Sequence, residues 1–460
     1  MFFLLRKLPF YNAQKGWNLR RMMSPIQIVA LYYILATCVA MLLLGLPVSH
    51  RPGVELSLID LLFTSVSAIS VTGLSVVNTS ETFSPIGILL LAIVLQFGGI
   101  GIMALGTFIW LLLGKRIGMR DRQMIMLDQN RIGMSGLVSL MRSLLVIVFT
   151  IEAIGSLVLG LYFYAYYIPD LPRALYYGFF TALSAFTNAG FDIFGDSLYR
   201  FSGDYFVQTV NILLIVLGAI GFPVLIEVRD YLKKRKKHYH FSLYTKVTVT
   251  TFAFLLALGT CGVLFIENQR FFAGMAWHER LFYALFHSTS VRNAGLATVD
   301  VAEFSLPTHL LFSFLMFVGA SPSSTGGGIR TTTFAVLVLL LYYYARGYSE
   351  LKIFKREIDP EDVRKAVVVF LGALFLVGTS IFVLTITENQ PLIALLFEAS
   401  SAFGTTGLSL GITSELSTFG KLVITLLMFV GRIGIFALLM FFRPTRKVDY
   451  HYAKERIIVG

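Results

Sequence analysis

The chain has 460 residues but only two cysteines, seven histidines and 14% charged residues. Cys38 and Cys261 both lie inside apolar runs, so no disulfide framework is implied and no redox compartment can be read from them. His50, His238, His240, His278, His287, His309 and His451 offer no pair at metal-ligand spacing within an apolar run. His238 and His240 fall in a strongly basic segment, and His287 stands alone, which favours a structural role. No Cys–His or Ser–His–Asp arrangement converges, and there is no phosphate-binding glycine loop. These absences argue against an integral-membrane hydrolase or transferase, and the protein is read as no enzyme. The scarcity of charge excludes the balance of a soluble domain. What remains is a chain that is 56% hydrophobic, with a mean hydropathy of +0.75.

A membrane-spanning helix needs about 20 predominantly apolar residues. Candidate runs are Ile26–Leu46, Phe83–Leu113, Leu140–Tyr164, Phe206–Val228, Val247–Ile266, Phe304–Tyr344 (interrupted), Ala366–Ile386 and Phe419–Phe442. Arg6, Lys7, Lys15, Arg20 and Arg21 precede a first run long enough to stay in the membrane, with no convincing cleavage site after it. The net charge of +12 could suggest nucleic acid, but its distribution does not. With both termini inside, the cytoplasmic segments hold most of the Lys and Arg, and acidic residues predominate outside. The run Lys233-Lys234-Arg235-Lys236-Lys237 is accordingly read as a cytoplasmic anchor. Asp192, Asp196, Asp204, Glu267, Asp300 and Glu303 near the outer loops would concentrate cations at the mouth, although each alone is an ordinary surface residue. Tyrosines at span ends, such as Tyr164, Tyr166, Tyr167 and Tyr342 to Tyr344, fit interfacial belts.

Four short glycine-ended segments recur between these runs. They read Ser70-Val71-Thr72-Gly73-Leu74, Thr187-Asn188-Ala189-Gly190-Phe191, Arg292-Asn293-Ala294-Gly295-Leu296 and Gly404-Thr405-Thr406-Gly407-Leu408. The glycines are 117, 105 and 112 residues apart, so a unit of about 110 residues repeats four times. Before each segment lies a stretch suited to a half-helix: Leu58–Ile69, Ala174–Phe186, Glu279–Val291 and Pro391–Phe403. Such a stretch is about 18 Å long, too short to cross. A re-entrant chain must turn sharply there, and glycine takes positive φ without steric cost. The backbone beyond the half-helix can then offer carbonyls to a cation stripped of water, with helix C-termini pointing toward it. Each segment alone could be an ordinary helix C-cap, but four at even spacing argue for a shared pore.

The expected fold is therefore all-α and integral to the membrane, with four helix–pore-loop–helix units around one pseudo-fourfold pore. Its divisions are a cytoplasmic N-terminus (1–25), repeat 1 (26–114), a cytoplasmic loop (115–139), repeat 2 (140–230), a basic cytoplasmic loop (231–245), repeat 3 (246–345), a cytoplasmic loop (346–364), repeat 4 (365–442) and a C-terminal tail (443–460). The selectivity filter is assigned to Val71, Thr72, Gly73, Leu74, Asn188, Ala189, Gly190, Asn293, Ala294, Gly295, Thr405, Thr406 and Gly407.

Two irregularities suggest a gate. The run from Phe304 to Tyr344 is 41 residues, about 60 Å as a straight helix against a core of roughly 30 Å. Its middle, at 319–330, contains Gly319, Ser321, Ser323, Ser324, Thr325, Gly326, Gly327 and Gly328, and cannot remain regular helix. A loop between two crossings would break the repeat parity, so one broken crossing with an intramembrane loop is preferred. Arg432, near mid-depth of the last span, is costly there and marks a pathway or a pair. It either bridges to a buried acid such as Glu227 or Glu398, or faces the pore as a barrier to cations. Arg292 and Arg330 raise similar questions, and Arg292 could instead brace its loop. Gly98-Gly99-Ile100-Gly101, with Gly218 and Gly221, is read as a small-residue packing surface.

These residues resemble the Trk/Ktr/HKT superfamily of potassium transporters over essentially the whole chain, the membrane subunits of bacterial Ktr systems above all. The resemblance is carried by Val71-Thr72-Gly73-Leu74, Asn188-Ala189-Gly190-Phe191, Arg292-x-Ala294-Gly295, Gly404-Thr405-Thr406-Gly407-Leu408, the 319–330 region and Gly431-Arg432-Ile433-Gly434. It implies channel-like potassium uptake across the inner membrane of a bacterium, through filter carbonyls, with the 319–328 loop and Arg432 as gate. It further implies a homodimer contacting through Arg443 to Gly460, and a cytoplasmic Ktr-type ring of RCK regulatory subunits that binds ATP and ADP. No cofactor bound covalently and no nucleic acid are implied, and sodium is a candidate activator. In the third loop, Asn293 and Leu296 depart from the small hydroxylated residue and Phe that Ktr relatives often carry. The alternative within transport is a sodium-coupled symporter, which would call for inverted repeats; here all four run in the same direction.

Overall fold

In the computed structural model the described residues are 25–101, 137–234, 240–348, 350–441 and 455. Each repeat starts with a long apolar helix: α1 (Pro25–Leu44), α4 (Leu137–Tyr166), α8 (Leu243–Glu267) and α12 (Pro360–Thr387). By length and composition these four can cross a membrane. Their outward faces are apolar: Leu42, Phe265 and Phe375 are 72%, 87% and 77% exposed, as suits a lipid surround rather than water.

A short helix follows each one: α2 (Leu58–Ser70), α5 (Leu171–Thr187), α9 (Trp277–Ser290) and α13 (Leu392–Gly404). Their ends are set by local chemistry. Ser57 caps α2 by accepting a hydrogen bond from the Asp60 N–H at 3.1 Å, and Pro172 occupies the first turn of α5. The C-terminal halves are buried, from Phe63 to Ser70 and from Phe180 to Thr187, for example. Polar residues survive in these buried ends because their hydroxyls bond backbone. Thr187 donates to the Leu183 carbonyl at 2.7 Å, and Thr289 to the Leu285 carbonyl at 2.7 Å.

The second helix is interrupted in repeats 2, 3 and 4, where only the third was expected to be, and in repeat 1 it ends at Gly101, the 102–113 part of the expected Phe83–Leu113 run lying outside the described residues. In repeat 1, α3 (Pro85–Ile100) stops at Gly101, whose φ is +100°. In repeat 2, α6 (Tyr205–Ala219) and α7 (Phe222–Lys234) are bent by 103° about Gly221, so Phe206–Val228 is no straight span. In repeat 3, the polar loop separates α10 (Leu306–Phe317) from α11 (Thr331–Ala345). In repeat 4, α14 (Thr418–Ile433) and α15 (Ile435–Phe441) meet at Gly434, with φ +94°. Gly221 is thus a hinge residue as well as a close-packed one: its φ of +100° is easy only for glycine, and a β-carbon there would lie 2.8 Å from the Pro322 carbonyl oxygen.

The repeats close into a ring through contacts between neighbours. Lys421 on α14 pairs with Asp60 on α2 at 2.8 Å, joining repeat 4 to repeat 1. Leu198 N–H donates to the Ala297 carbonyl at 2.9 Å, joining repeat 2 to repeat 3. Glycines bring the helices within backbone contact. A β-carbon at Gly98 would lie 2.5 Å from the Ile69 carbonyl oxygen, and one at Gly218 only 1.9 Å from that of Phe186. The expected basic N-terminus, the 115–136 part of the first cytoplasmic loop, most of the lysine-rich run and the tail at 443–454 and 456–460 lie outside the described residues.

Helix approach through glycine can be tested at Gly178, where a β-carbon would meet the Gly160 nitrogen at 2.3 Å. Gly178→Ala is expected to destabilise the protein by about 1–3 kcal/mol, the usual cost of overpacking. Gly203→Ala, with nothing within 4 Å, should leave the thermal midpoint unchanged. Equal midpoints for the two variants in a detergent melt would refute this account of the packing.

Candidate functional site

The four glycine-ended segments come together at one point. A β-carbon at Gly73 would lie 2.5 Å from the Ala189 carbonyl oxygen; at Gly190, 3.0 Å from that of Ala294; at Gly295, 2.3 Å from that of Thr406; at Gly407, 2.2 Å from that of Thr72. Each glycine therefore faces the carbonyl of the next repeat, and the fourth returns to the first. The φ values of +89°, +69°, +70° and +95° sit in the region where glycine carries no steric penalty. Any side chain at these positions would also enter the contact.

Among the described residues, the carbonyls of Thr72, Ala189, Ala294 and Thr406 accept no hydrogen bond. All four residues are buried. Buried carbonyls are ordinarily paired, so four unpaired ones at one level form a site that needs a positive partner or water. No cluster of three or more His, Cys, Asp or Glu that could hold a metal exists among the described residues. The oxygens available at this ring are those of the backbone, the donors suited to a hard cation.

One hydroxyl per repeat fixes the loops. Thr72, Ala189, Ala294 and Thr406 donate their N–H groups to the carbonyls of Ser67, Ser184, Ser290 and Ser401, at 2.8, 2.8, 2.8 and 2.9 Å. The Ser67 and Ser401 hydroxyls also accept from the Gly73 and Gly407 N–H groups at 3.1 Å. The Ser184 hydroxyl instead donates to the Phe191 carbonyl at 2.6 Å, and the Ser290 hydroxyl to that of Leu296. Val71, Asn188 and Thr405 follow their helices in left-handed conformation, with φ of +58°, +57° and +51°. The third loop is one residue shorter between serine and glycine, and there Asn293 takes φ +148°. Its side chain spans the gap, donating to the Gly404 carbonyl at 2.5 Å. The departure at Asn293 thus has a structural use, as a tie between the third and fourth loops. Leu74 contributes a buried side chain to the core behind the first loop.

The polar loop of repeat 3 packs directly against this ring. A β-carbon at Gly326 would lie 2.4 Å from the Asn293 side chain, and one at Gly327 2.6 Å from that of Thr405. Asn188 donates to the Thr325 hydroxyl at 2.6 Å, and Ser324 donates to the Ser321 carbonyl at 2.7 Å. The Ser321 and Thr325 N–H groups donate to the carbonyls of Ala219 and Gly218, at 3.2 and 3.3 Å. Phe222 N–H donates to the Ser323 carbonyl at 2.7 Å, and Gly328 N–H to that of Gly431 at 3.3 Å. Arg292, fully buried, donates to the Gly319 carbonyl at 2.6 Å and lies 5.3 Å over the Phe252 ring. It braces one end of the loop.

Arg432 forms no ion pair among the described residues, so the bridge to Glu227 or Glu398 is not made. Glu398 accepts from Thr413 at 2.6 Å instead, and Glu227 from the Ser242 N–H at 3.1 Å. The guanidinium reaches carbonyls: Thr325 on the loop, Gly98, and Gly99 at 3.2 Å. Arg330 donates to the Gly326 carbonyl. Gly98 and Gly99, assigned to packing, are therefore also acceptors for the arginine.

A further signal escaped the sequence reading. Gly98-Gly99-Ile100-Gly101, Gly218-Ala219-Ile220-Gly221 and Gly431-Arg432-Ile433-Gly434 are one recurring motif, and Gly319-Ala320-Ser321-Pro322 is its altered third copy. Arg432 occupies the place that Gly99, Ala219 and Ala320 hold in the other repeats. The motif marks where the second helices end or break, with Gly98, Gly218 and Gly431 packed on the carbonyls of Ile69, Phe186 and Phe403 at the ends of the half-helices.

Comparison with known proteins gives a consistent picture. Residues 1–449 match the TrkH family, described as "Cation transport protein". The chain is 53% identical to the Ktr system potassium uptake protein D of Bacillus subtilis, covering 97% of this chain and 99% of that one. Identity is 35% to the Ktr system potassium uptake protein B of the same organism, over 95% and 97% of the two chains. It is 32% to the potassium/sodium uptake protein NtpJ of Enterococcus hirae, over 96% and 99%. Among solved structures, the potassium transporter TrkH from Vibrio parahaemolyticus superposes with a TM-score of 0.72 at 18% identity, over 92% of this chain and 86% of that one.

The tie between Asn188 and Thr325 can be tested by thiol labelling at the loop. In a Cys38→Ser, Cys261→Ser, Ser324→Cys background, Asn188→Ala removes one hydrogen bond of about 1 kcal/mol and should speed modification about fivefold. An unchanged labelling rate would show that this bond does not hold the loop.

Proposed function

The chain belongs to the TrkH family of cation transport proteins, and on that footing we propose that it carries potassium into the cell through the ring at Gly73, Gly190, Gly295 and Gly407. It is a transport protein with multiple membrane-embedded helices, not an enzyme. The four unpaired, buried carbonyls meeting at one level carry this reading. A dehydrated cation would replace its water with those oxygens, and the half-helices would add the negative ends of their dipoles. The relatives named as potassium uptake proteins support potassium as the cargo. One glycine per loop leaves fewer carbonyl layers than a long filter provides, so discrimination against sodium should be moderate.

The loop from Gly319 to Gly328, with Arg432, is proposed as the gate. Its small polar residues pack against the ring, tied to repeats 2 and 4 by hydrogen bonds that can be exchanged for water. In this arrangement the arginine would place positive charge on the ion route and oppose cation passage. Opening would need the loop and guanidinium to leave the axis together. We extend the reading to a homodimer in a bacterial inner membrane, both termini inside, controlled by a cytoplasmic RCK-type ring that binds ATP or ADP. The relatives' designation as parts of a Ktr system supports a separate regulatory component. Sodium coupling is the weaker alternative, since the repeats share one direction rather than an inverted pair.

Two variants separate filter from gate in proteoliposome uptake. Gly295→Ser would meet the Thr406 carbonyl and should lower the potassium-to-sodium flux ratio about tenfold, or ~1.4 kcal/mol of lost discrimination. An unchanged ratio in folded protein would remove Gly295 from the filter. Arg432→Ala should raise potassium flux severalfold. A folded but inactive Arg432→Ala protein would instead assign the arginine a structural role.

A further inference from the structure

The basic residues on the side of the filter loops are Arg51, Arg173, Arg200, Arg270, Arg280 and Lys421, a small set on a face where acids predominate. Arg200 pairs with Asp196 at 3.0 Å and Lys421 with Asp60 at 2.8 Å. Arg280 donates to the Asn268 side chain at 2.9 Å. Arg51 and Arg173 differ. Both line one cavity of about 340 Å³ between repeats 1 and 2, and neither forms an ion pair among the described residues. Arg51 spends only Nε on protein, in a long contact of 3.4 Å to the Phe83 carbonyl. Arg173 lies 5.8 Å over the Tyr177 ring. The cavity also contains Tyr176, whose hydroxyl is buried without a hydrogen-bond partner. No carboxylate lines it.

Both arginines are exposed at the cavity mouth, and among the described residues no carboxylate lines the cavity or pairs with either of them. A guanidinium is a planar fork of donors matched to phosphate oxygens. We infer that this cavity, formed by Arg51, Arg173 and Tyr176, is a binding site for a phosphate group. The group would be either the headgroup phosphate of an anionic phospholipid in the adjoining leaflet or inorganic phosphate from solution. Ile88 and Ile193 complete the wall, and the neighbouring Ile86 and Leu89 are 52% and 46% exposed to the lipid side. A lipid could therefore place its phosphate in the cavity and its chains along α3. The site lies outside the carbonyl ring and is independent of the transport reading.

The test is thermal stability of the purified full chain, titrated separately with phosphatidylglycerol in zwitterionic micelles and with inorganic phosphate. A saturable rise of the midpoint with either ligand is expected, and the ligand that acts identifies the source. Arg51→Gln and Arg173→Gln should each raise the half-saturating concentration about tenfold, the loss of one charge-assisted hydrogen bond or more. Arg51→Lys and Arg173→Lys, which keep the charge but lose the fork, should fall between. Native mass spectrometry reads lipid retention independently of stability, and fewer bound lipids on the Gln variants are expected. If neither ligand raises the midpoint, or the Gln variants respond as the parent does, the proposal is overturned.

Discussion

The structure depends on a close approach of backbone to backbone. At the ring, the carbonyl of one loop occupies the volume a side chain would need on the next, four times around. This contact fixes where the half-helices end, because each must deliver its chain in a left-handed or otherwise unusual conformation. It also fixes how near the second helices stand, since Gly98, Gly218 and Gly431 each abut a carbonyl four residues ahead of a ring glycine. In a lipid surround, where unpaired backbone groups are expensive, such a meeting persists only if the surrounding hydrogen bonds over-determine it. The buried serines at the helix ends provide those bonds.

Asymmetry enters against this repeated frame at two places. The third repeat replaces the Gly-x-Ile-Gly break with Gly-Ala-Ser-Pro and inserts a polar loop, while its ring segment is one residue shorter and tied by Asn293. The fourth repeat places an arginine where the others have glycine or alanine. The two departures meet, since Arg432 donates to the Thr325 carbonyl. A repeated frame thus carries one polar loop and one buried charge that contact each other beside the ring.

The sequence made the half-helices and the ring loops legible for a clear reason. Short apolar stretches ending in glycine, at even spacing between longer ones, are a pattern few other folds produce. For Arg292 the sequence left a pathway role and a brace of its own loop open; the carbonyl it bonds, that of Gly319, belongs to the polar loop instead. The helix end at Gly101 and the breaks at Gly221 and Gly434 are not evident in the sequence, because an apolar run looks continuous by composition while one glycine of positive φ is enough to end a helix. The partners of Arg432 were also hidden. A search for carboxylates is natural for a buried arginine, but here the acceptors are carbonyls freed by the same helix breaks.

That substitution of carbonyls for carboxylates has an electrostatic consequence. An arginine paired with an acid would present little net field to a nearby ion. Arginines held by carbonyl dipoles keep their full net charge, its field only partly screened by the local dipoles. Among the described residues Arg292, Arg330 and Arg432 all adopt this arrangement, and all bond the same loop. On the pore reading, positive charge then lies close beneath the oxygen ring, which attracts cations from above. An ion at the ring would be held but would face a rising potential below it. Moving the loop would move the acceptors of all three guanidiniums at once. A modest displacement of one segment would therefore lower the barrier far more than its few hydrogen bonds suggest.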